Sequence, residues 1–319
     1  MARADFLAKA ESTISSRLAD VRRTFDNHIR EVSEKIPGFS EVDLELQKAG
    51  QKILFSSFLG VEAIDEVRSE YEKLVSRKKD LLLSNGYPED YCDYKYYCNE
   101  CNDTGYVGAK RCKCLKKEIN MEILKESGLY TLAQKQTFDN FSLDYYQNND
   151  KIAMENNVEF LKEYAEEFKP GSSSNIILLG PTGLGKTHLS TATAITVINK
   201  GFYTIYETAF KLFDNYQNRR FSYDSDSPID LDKYYDCDLL IIDDLGTEFI
   251  SSYTVSCLYD LINKRINMNK STIINTNLDA DQLLKTYNDR IFSRLFGEFK
   301  VLLFSGTDIR EQKIKNNID

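Results

Sequence analysis

A glycine-rich loop at residues 180–187 carries the residue types that bind phosphate groups. Glycines at the first, fourth and sixth positions let the backbone curl so that its N–H groups point toward phosphate oxygens. Lys186 supplies a positive charge for the β- and γ-phosphates, and Thr187 offers a hydroxyl to Mg²⁺. The apolar segment before the loop and the helix-like segment after it provide the strand and the helix N-terminus that the motif requires. The sequence therefore predicts a nucleoside triphosphate site formed by Gly180, Pro181, Thr182, Gly183, Leu184, Gly185, Lys186, Thr187 and His188.

An acidic pair stands at the end of a second apolar segment. Residues 239–242 are Leu-Leu-Ile-Ile, as expected for a parallel strand that is buried on both faces, and Asp243 and Asp244 follow directly. Mg²⁺ needs a carboxylate near the phosphates, and hydrolysis needs a group that activates water. We expect this strand to neighbour the phosphate-loop strand, Asp243 to share Mg²⁺ with Thr187, and Asp244 to act as the base. Glu248 is a competing candidate for the base.

Four of the seven cysteines have the spacing of metal ligands. Cys98-x-x-Cys101 and Cys112-x-Cys114 can place four thiolates around one tetrahedral Zn²⁺, with turn-forming residues around the first pair. Because four protein ligands leave no open coordination position, we predict a structural zinc site. Cys92 could replace one ligand, and free thiols are the alternative to a metal site.

The composition is typical of an intracellular enzyme. The chain has 319 residues, of which 42% are apolar, and this is enough for two domains with a sizeable core. No apolar segment has transmembrane length and no signal segment begins the chain, so we expect a cytoplasmic protein without a membrane partner. The net charge of −9 argues against strong non-specific binding of DNA by the whole protein.

Basic and aromatic residues are interleaved around the four cysteines. Together they resemble a surface for single-stranded nucleic acid, on which bases stack and phosphates meet positive charges. The alternative is a solvated basic face beside tyrosines that cover a small core organised by zinc. The residues are Tyr91, Tyr94, Tyr96, Tyr97, Tyr106, Lys110, Arg111, Lys113, Lys116 and Lys117.

Hydrophobic periodicity divides the chain into a helical part and an α/β part. Apolar residues at three- and four-residue steps predict helices over about 3–36, 42–59 and 61–84. After the phosphate loop, alternating strand and helix patterns with a polar loop at 222–227 predict a parallel sheet with helices on both faces. We predict a helical, zinc-binding domain at 1–120, a linker at 121–150 and a P-loop ATPase domain at 151–319.

Four segments of the α/β part carry a family resemblance. They are the phosphate loop and its continuation at 180–189, the acidic strand at 239–246, the strand at 272–277 and the segment 289–297. Together they resemble the AAA+ ATPases of the DnaC/DnaI helicase-loader group, over about 135–310. The cysteine segment at 98–114 resembles the zinc-bearing N-terminal part of the loaders of Firmicutes. The resemblance implies an AAA+ P-loop domain preceded by a helical domain with a zinc knuckle.

The same resemblance implies roles for several polar residues. Asn277 stands where a sensor residue hydrogen-bonds the attacking water or the γ-phosphate, with Asn275 as a second candidate. Arg294 aligns with an arginine finger that reaches the ATP of a neighbouring subunit, and Arg290 is its companion. A surface ion pair is the alternative for both arginines. Arg310 resembles the second sensor position.

The resemblance also implies a function. An Mg²⁺-dependent ATPase of this group loads the replicative hexameric helicase onto single-stranded DNA and self-associates in the presence of ATP and helicase. Its N-terminal helices and zinc knuckle are expected to hold the helicase. Two alternatives stay open, an IstB-like transposition helper that assembles on duplex DNA and a nucleotide-gated adaptor that hydrolyses almost nothing. Asp243, Asp244 and Asn277 favour an enzyme over the adaptor.

Overall fold

The computed structural model describes residues 3–56, 62–221 and 230–316. The end of the second predicted helix, the start of the third at Val61 and the predicted polar loop Ser222–Ser227 lie outside these residues. The helices are α1 (Arg3–Lys35), α2 (Phe39–Ser56), α3 (Glu62–Ser84), α4 (Lys113–Glu126), α5 (Asn148–Glu167), α6 (Lys186–Asn199), α7 (Ala209–Phe221), α8 (Asp232–Asp236), α9 (Ser252–Asn267), α10 (Ala280–Glu298) and α11 (Ile309–Asn316). The strands are β1 (Tyr106–Val107), β2 (Lys110–Arg111), β3 (Asn175–Leu179), β4 (Thr204–Thr208), β5 (Leu239–Leu245), β6 (Ser271–Thr276) and β7 (Phe299–Leu303).

The helices that periodicity predicts in the N-terminal part are present as α1, α2 and α3. Pro37 and Gly38 separate the first two, because proline lacks an N–H donor and Gly38 adopts a left-handed φ of 82°. Among the residues that the structure describes, no helix is both long enough and apolar enough to cross a membrane.

Packing divides the chain into two compact units. The α/β unit comprises Met1–Ala10 and Lys116–Asp319, and the cysteine unit comprises Glu11–Leu115. Residues 121–150, for which the sequence predicts a linker, lie in the α/β unit instead. Ile123, Leu129 and Tyr146 are buried in the core of that unit, so apolar side chains hold the segment in place although its C-terminal end is polar.

The α/β unit is built on a five-stranded parallel sheet with the order β4-β5-β6-β3-β7. This sheet with its flanking helices confirms the predicted fold class. The prediction that the Asp243 strand neighbours the phosphate-loop strand is wrong, because β6 lies between them and pairs with both. Ile273 of β6 is in register with Ile176 of β3 and with Ile241 of β5. The order of strands along the chain does not determine which strands pair. The position of β6 between β3 and β5 could therefore not be predicted from the motifs.

The central strands are buried on both faces, and this explains their continuous apolar character. Every residue of β6 is buried, and β5 is buried except at Asp244. Since the strands are parallel, β3, β5 and β6 end at the same edge of the sheet. The phosphate loop, the acidic pair and Asn277 therefore meet at that edge.

The cysteine unit has a small core and a short hairpin. Val32, Ile36, Phe39, Leu82 and Cys92 form a buried apolar cluster between the helices. A half-buried ion pair of 2.6 Å joins the side chains of residues 43 and 78 beside it. The antiparallel strands β1 and β2 then bring the chain between the two cysteine pairs back on itself.

Candidate nucleotide site and candidate zinc site

The phosphate loop connects the end of β3 to the first turn of α6. Gly185 is the N-cap residue of α6 with a φ of 79°, and Lys186 and Thr187 begin the helix. The first N–H groups of a helix have no partner within it, and the helix dipole makes this end positive. The loop therefore has the geometry of an anion site, as its sequence predicts.

The loop glycines are also required by the protein around them. A Cβ atom at Gly180 would lie 2.1 Å from the carbonyl oxygen of Phe304, and at Gly185 it would lie 2.6 Å from the ring of Phe141. Both distances are far below van der Waals contact, and both glycines have positive φ. Glycine at these positions leaves room for the phosphates, as the sequence predicts. It also leaves room for Phe141 and Phe304, which approach the loop closely.

Lys186 is held at the mouth of the loop by oxygen acceptors. Its Nζ donates hydrogen bonds to the carbonyl oxygens of Gly180 and Pro181, both at 2.6 Å, and to Oδ1 of Asn277 at 2.7 Å. Burial lowers the pKa of Lys186 to about 8, while the carboxylates of Asp244 and Asp243 act in the opposite direction. The structure thus brings together the lysine and the sensor asparagine that the sequence predicts.

Asp243 is surrounded by three hydrogen-bond donors. The Thr187 hydroxyl lies 3.1 and 3.2 Å from its two oxygens, the Tyr206 hydroxyl donates at 2.5 Å, and the Asn275 amide donates at 2.6 Å. A carboxylate beside a hydroxyl is an oxygen donor set that fits Mg²⁺. The Asn275 amide also donates to Ser190, so Asn275 is turned toward Asp243 and α6.

Tyr206 contacts Asp243 but was not predicted from the sequence. No motif marks it, because it contributes through the pairing of β4 with β5, in which Thr208 is in register with Asp243. Burial and the Asp243 carboxylate raise the pKa of Tyr206, so its hydroxyl stays a proton donor.

Asp244 occupies an irregular position at the end of β5. The register between β5 and β6 shifts between Ile242 and Leu245, and Asp244 has a left-handed φ of 55°. Asp244 lines the cleft above the phosphate loop, and the Asn277 amide approaches its Oδ1 at 3.4 Å. Burial and the neighbouring Asp243 raise the pKa of Asp244, which brings it closer to that of an efficient general base.

Glu248 is engaged elsewhere and does not line this cleft. Its Oε2 accepts a hydrogen bond from the Gly246 N–H at 2.8 Å, and its Oε1 accepts one from the Tyr287 hydroxyl. The side chain is 6% exposed. Of the two acids considered as base, the structure brings only Asp244 to the loop.

The cleft beside the phosphate loop has a volume of about 760 Å³, which lies within the range of small-molecule sites. One wall comes from residues 135–145, which carry no recognisable motif. His188 Nε2 lies 2.8 Å from the carbonyl oxygen of Thr137 and anchors this wall to α6. Gln136 also belongs to this wall, and its Oε1 is buried without a hydrogen-bond partner among the described residues. These features fit a nucleotide whose phosphates are held by the loop.

Arg310 also lines the cleft. The first turn of α11 lies against the phosphate loop, since the Ile309 N–H donates to the Gly183 carbonyl oxygen at 3.1 Å. The Arg310 N–H donates to Asp308 Oδ1 at 2.7 Å, and a Cβ at Gly183 would lie 1.9 Å from that same oxygen. The structure therefore places Arg310 beside the phosphate loop, and its role as the second sensor stays a prediction.

Arg290 and Arg294 do not join their own subunit's cleft. Both are exposed on α10, and the Arg294 guanidinium lies 3.7 Å from the carboxylate of Glu298, one turn further along. Such an exposed pair contributes little to stability. An exposed arginine at this position can act on another molecule. The contact with Glu298 also fits the surface ion pair, which is the alternative interpretation from the sequence.

The four predicted zinc ligands converge in the cysteine unit. Their sulfur atoms all lie within 4.8 Å of one another, with 3.7 Å between Cys98 and Cys112 and 3.4 Å between Cys101 and Cys114. Four sulfurs bound tetrahedrally to zinc at about 2.3 Å would be about 3.8 Å apart. The donor set therefore fits Zn²⁺ in number, chemistry and spacing.

A tight turn positions the first cysteine pair. Asp103 accepts hydrogen bonds from the N–H groups of Tyr97 at 2.8 Å and Cys98 at 2.9 Å, and it adopts a φ of 54°. The Cys101 backbone lowers the pKa of Cys98 to about 7, whereas burial and the neighbouring thiols raise the pKa of Cys114. Metal binding to such a set releases protons, because thiolates are the ligands.

Cys92 lies apart from this group. It belongs to the buried apolar cluster with Phe39 and Leu82, and burial raises its pKa to about 11. The four sulfurs that approach one another among the described residues do not include it. The structure therefore selects Cys98, Cys101, Cys112 and Cys114 over any set that contains Cys92.

Comparison with known proteins places this arrangement among ATP-binding proteins. A family model described as IstB-like ATP binding protein matches residues 116–313. YqaM of Bacillus subtilis (strain 168), an uncharacterized protein, is 27% identical over 181 residues, which are 55% of this chain and 56% of YqaM. The replicative helicase loader DnaC of Escherichia coli (strain K12) is 24% identical over 196 residues, which are 59% of this chain and 76% of DnaC. The crystal structure of the DnaC helicase loader is 23% identical in sequence, with a TM-score of 0.44 over 53% of this chain and 98% of that one.

The chain therefore spans about half the length of YqaM and about three quarters of DnaC. The family match covers most of the α/β unit, and it begins directly after the cysteine unit at residue 116.

Proposed function

The chain belongs to the IstB-like ATP-binding protein family, and we propose that it is an Mg²⁺-dependent ATPase that loads a hexameric replicative helicase onto single-stranded DNA. The observation that carries the ATPase part is the convergence of Lys186, Thr187, Asp243, Asp244 and Asn277 at one edge of the sheet. The loader part is supported by relatives that are named replicative helicase loader DnaC.

Each residue of the cleft has a distinct role in this proposal. The loop N–H groups and Lys186 bind the phosphates, while Thr187 and Asp243 hold Mg²⁺, which neutralises charge on the phosphate oxygens. Asp244 accepts the proton of the attacking water, and Asn277 orients that water or the γ-phosphate. Arg310 contacts the nucleotide from the side of α11.

Assembly completes the site. Arg294, with Arg290 beside it, lies on a surface away from its own cleft and reaches the ATP of a neighbouring subunit. Such a finger supplies positive charge to the transition state, which raises turnover by about 10³–10⁵-fold in other phosphoryl-transfer enzymes. Turnover is therefore slow in the isolated subunit and increases when helicase and ATP bring subunits together.

The cysteine unit is the part that holds the helicase. Zinc bound by Cys98, Cys101, Cys112 and Cys114 is structural, because the four thiolates complete its coordination. Exposed Tyr94 and Tyr97 and the basic residues near the knuckle provide a local contact for single-stranded DNA. The protein acts in the cytoplasm, where replicative helicase meets DNA.

Light scattering of the full-length chain mixed with the replicative helicase of the same genome tests the proposal. We expect a complex larger than either protein when ATP and Mg²⁺ are present. Lys186→Ala, which removes the phosphate-binding charge, should fail to bind a fluorescent nucleotide and should not form the ATP-dependent assembly. Wild-type nucleotide affinity in that variant, or no complex under any nucleotide condition, would contradict the proposal.

A transposition helper is the second candidate function, and the description of the matching family model favours it. Such an ATPase would assemble on duplex DNA and serve a transposase. Gel filtration with ATP and either duplex or single-stranded DNA distinguishes the two functions. Assembly on duplex DNA without any complex with helicase would support the helper.

A further inference from the structure

The buried carboxylate of Glu248 connects the loop that follows Asp244 to the helix that bears Arg290 and Arg294. Its Oε2 accepts the Gly246 N–H at 2.8 Å, and its Oε1 accepts the hydroxyl of Tyr287 on α10. Glu248 is 6% exposed and Tyr287 is 1% exposed. A buried carboxylate depends strongly on its donors, so this bridge is a specific link between the two elements.

Tyr287 immediately precedes a corner in α10. Asn288 has non-helical backbone angles, with φ 71° and ψ 169°, and divides the helix into two segments. Its Oδ1 accepts the N–H groups of Arg290 at 3.0 Å and Ile291 at 3.3 Å, which is how an N-cap residue begins a new helix. The direction of the second segment is therefore set at residues 287 and 288.

The second segment places both arginines on one face. Arg290 and Arg294 are four residues apart, and residues at this spacing are neighbours along a helix. Ile291 and Leu295, which are 1% and 0% exposed, anchor an adjacent face of the segment in the core. The segment can therefore remain folded when the bridge to Glu248 is cut, while its exact direction changes.

The other end of the bridge is equally constrained. Gly246 has a φ of 106°, and a Cβ there would lie 2.7 Å from the Leu278 side chain. The Thr276 hydroxyl donates to the Leu245 carbonyl oxygen at 2.7 Å. These contacts fix residues 245 and 246 against the end of β6, directly beside Asp244, so the bridge runs from a rigid part of the nucleotide site.

We propose that Glu248 and Tyr287 are positioning residues. They hold the arginine-bearing segment of α10 in a fixed position relative to the Asp244 loop of the same subunit. Each subunit presents Arg294 to its neighbour, and the position of this arginine depends on the nucleotide site of the subunit that carries it. This inference rests on the proposed function, in which Arg294 acts on the ATP of an adjacent subunit. In this proposal Glu248 positions α10 and does not act as the general base.

A subunit-mixing experiment tests the bridge. Full-length Arg294→Ala subunits keep an intact nucleotide site and lack the finger, whereas Asp244→Asn subunits lack the base and keep the finger. Equal amounts of the two, with ATP, Mg²⁺ and the replicative helicase of the same genome, should recover phosphate release in trans. With Asp244→Asn/Tyr287→Phe as the donor, we expect recovered turnover about tenfold lower, as for the loss of one hydrogen bond to a charged group.

The design separates positioning from other effects. Because the donor's own site is inactive through Asp244→Asn, a disturbance of its own Asp244 loop cannot lower the measured turnover. Asp244→Asn/Tyr234→Phe is the matched control, since Tyr234 is fully buried and donates to the buried carboxylate of Glu207 at 3.2 Å. This control donor should recover turnover as well as Asp244→Asn alone.

Asn288→Gly in the Asp244→Asn background provides a second donor. Glycine tolerates the positive φ of position 288 but removes the cap, so this donor should also recover less turnover. Thermal unfolding and nucleotide binding verify that every donor is folded. Full recovery by both the Tyr287→Phe and the Asn288→Gly donors would overturn the bridge and leave the trans role of Arg294 intact. No recovery in the mixture of Arg294→Ala and Asp244→Asn would overturn that trans role and the bridge with it.

Discussion

The two candidate sites of this protein are built in opposite ways. The cysteine site takes its four candidate ligands from one short segment, Cys98 to Cys114, and the turn at Asp103 and the β1–β2 hairpin bring the sulfurs together. The nucleotide site takes its polar groups from the ends of β3, β5 and β6 and from segments as distant in sequence as residues 136 and 310. One site depends on local spacing, and the other depends on the order of strands in a sheet.

A sequence motif is sufficient to locate the first site but not to assemble the second. Spacing alone identified four thiols that lie close together in the structure, because they belong to one short segment of the chain. In the nucleotide site, spacing identified the loop and the acidic pair but not their mutual arrangement. The strand between them and the partners of Asp243 came only from the sheet.

Removal of zinc gives the largest expected effect and tests the local site. We expect about one zinc ion per chain in the purified protein, and zinc sites of this kind contribute on the order of 10 kcal/mol to folding. After chelation, titration with a thiol reagent at pH 8 should show at least four additional reactive cysteines, the four ligands. With zinc bound, Cys92 should be unreactive in the folded core, because burial raises its pKa to about 11 and the thiolate is the reactive form.

Two cysteine variants serve as a matched pair for this measurement. Cys112→Ser should lose the zinc, whereas Cys92→Ser should retain it. If Cys92→Ser lost its zinc while Cys112→Ser retained it, the ligand set would differ from the one that the sulfur positions indicate.

Asp244→Asn tests the assembled site at its reacting end. Loss of the base should lower helicase-stimulated turnover by about 10²–10⁴-fold, with nucleotide binding retained. Glu248→Gln should cause a loss at least about tenfold smaller, since Glu248 acts through the position of α10 and not on water. Steady-state phosphate release measures both. A larger loss in Glu248→Gln than in Asp244→Asn would reverse the assignment of the base.

Tyr206→Phe gives the smallest effect and tests a contact that only the tertiary structure revealed. The variant removes one of three donors to Asp243, so the apparent affinity for Mg²⁺ in ATP turnover should fall by about tenfold, as for other residues that orient a metal ligand. Turnover at saturating Mg²⁺ should change little. Tyr203→Phe is the control, because the buried Tyr203 hydroxyl has no partner among the described residues. Equal Mg²⁺ dependence in the two variants would remove Tyr206 from the site.

Prediction from the sequence was most accurate where the signal was periodic or local. The three N-terminal helices, the acidic strand, the strand at 272–277 and the phosphate loop lie close to their predicted positions. It was less accurate for residues 121–150, whose polar end suggested a linker although Ile123, Leu129 and Tyr146 are buried. It also kept Glu248 as a competing candidate beside Asp244, the predicted base. A separation of four residues does not determine which carboxylate the loop turns toward the phosphates.

The sequence alone was sufficient to predict a phosphate loop, an acidic pair at the end of a buried strand, four thiols at metal spacing and an α/β sheet. These follow from interactions within one turn or one repeat of the chain, which depend only on neighbouring residue types. The tertiary structure alone decided that β6 separates β3 from β5, that Tyr206 and Asn275 support Asp243, and that Glu248 bridges to Tyr287. Such contacts join residues that are far apart in sequence, and strand pairing and burial select them only when the whole domain folds.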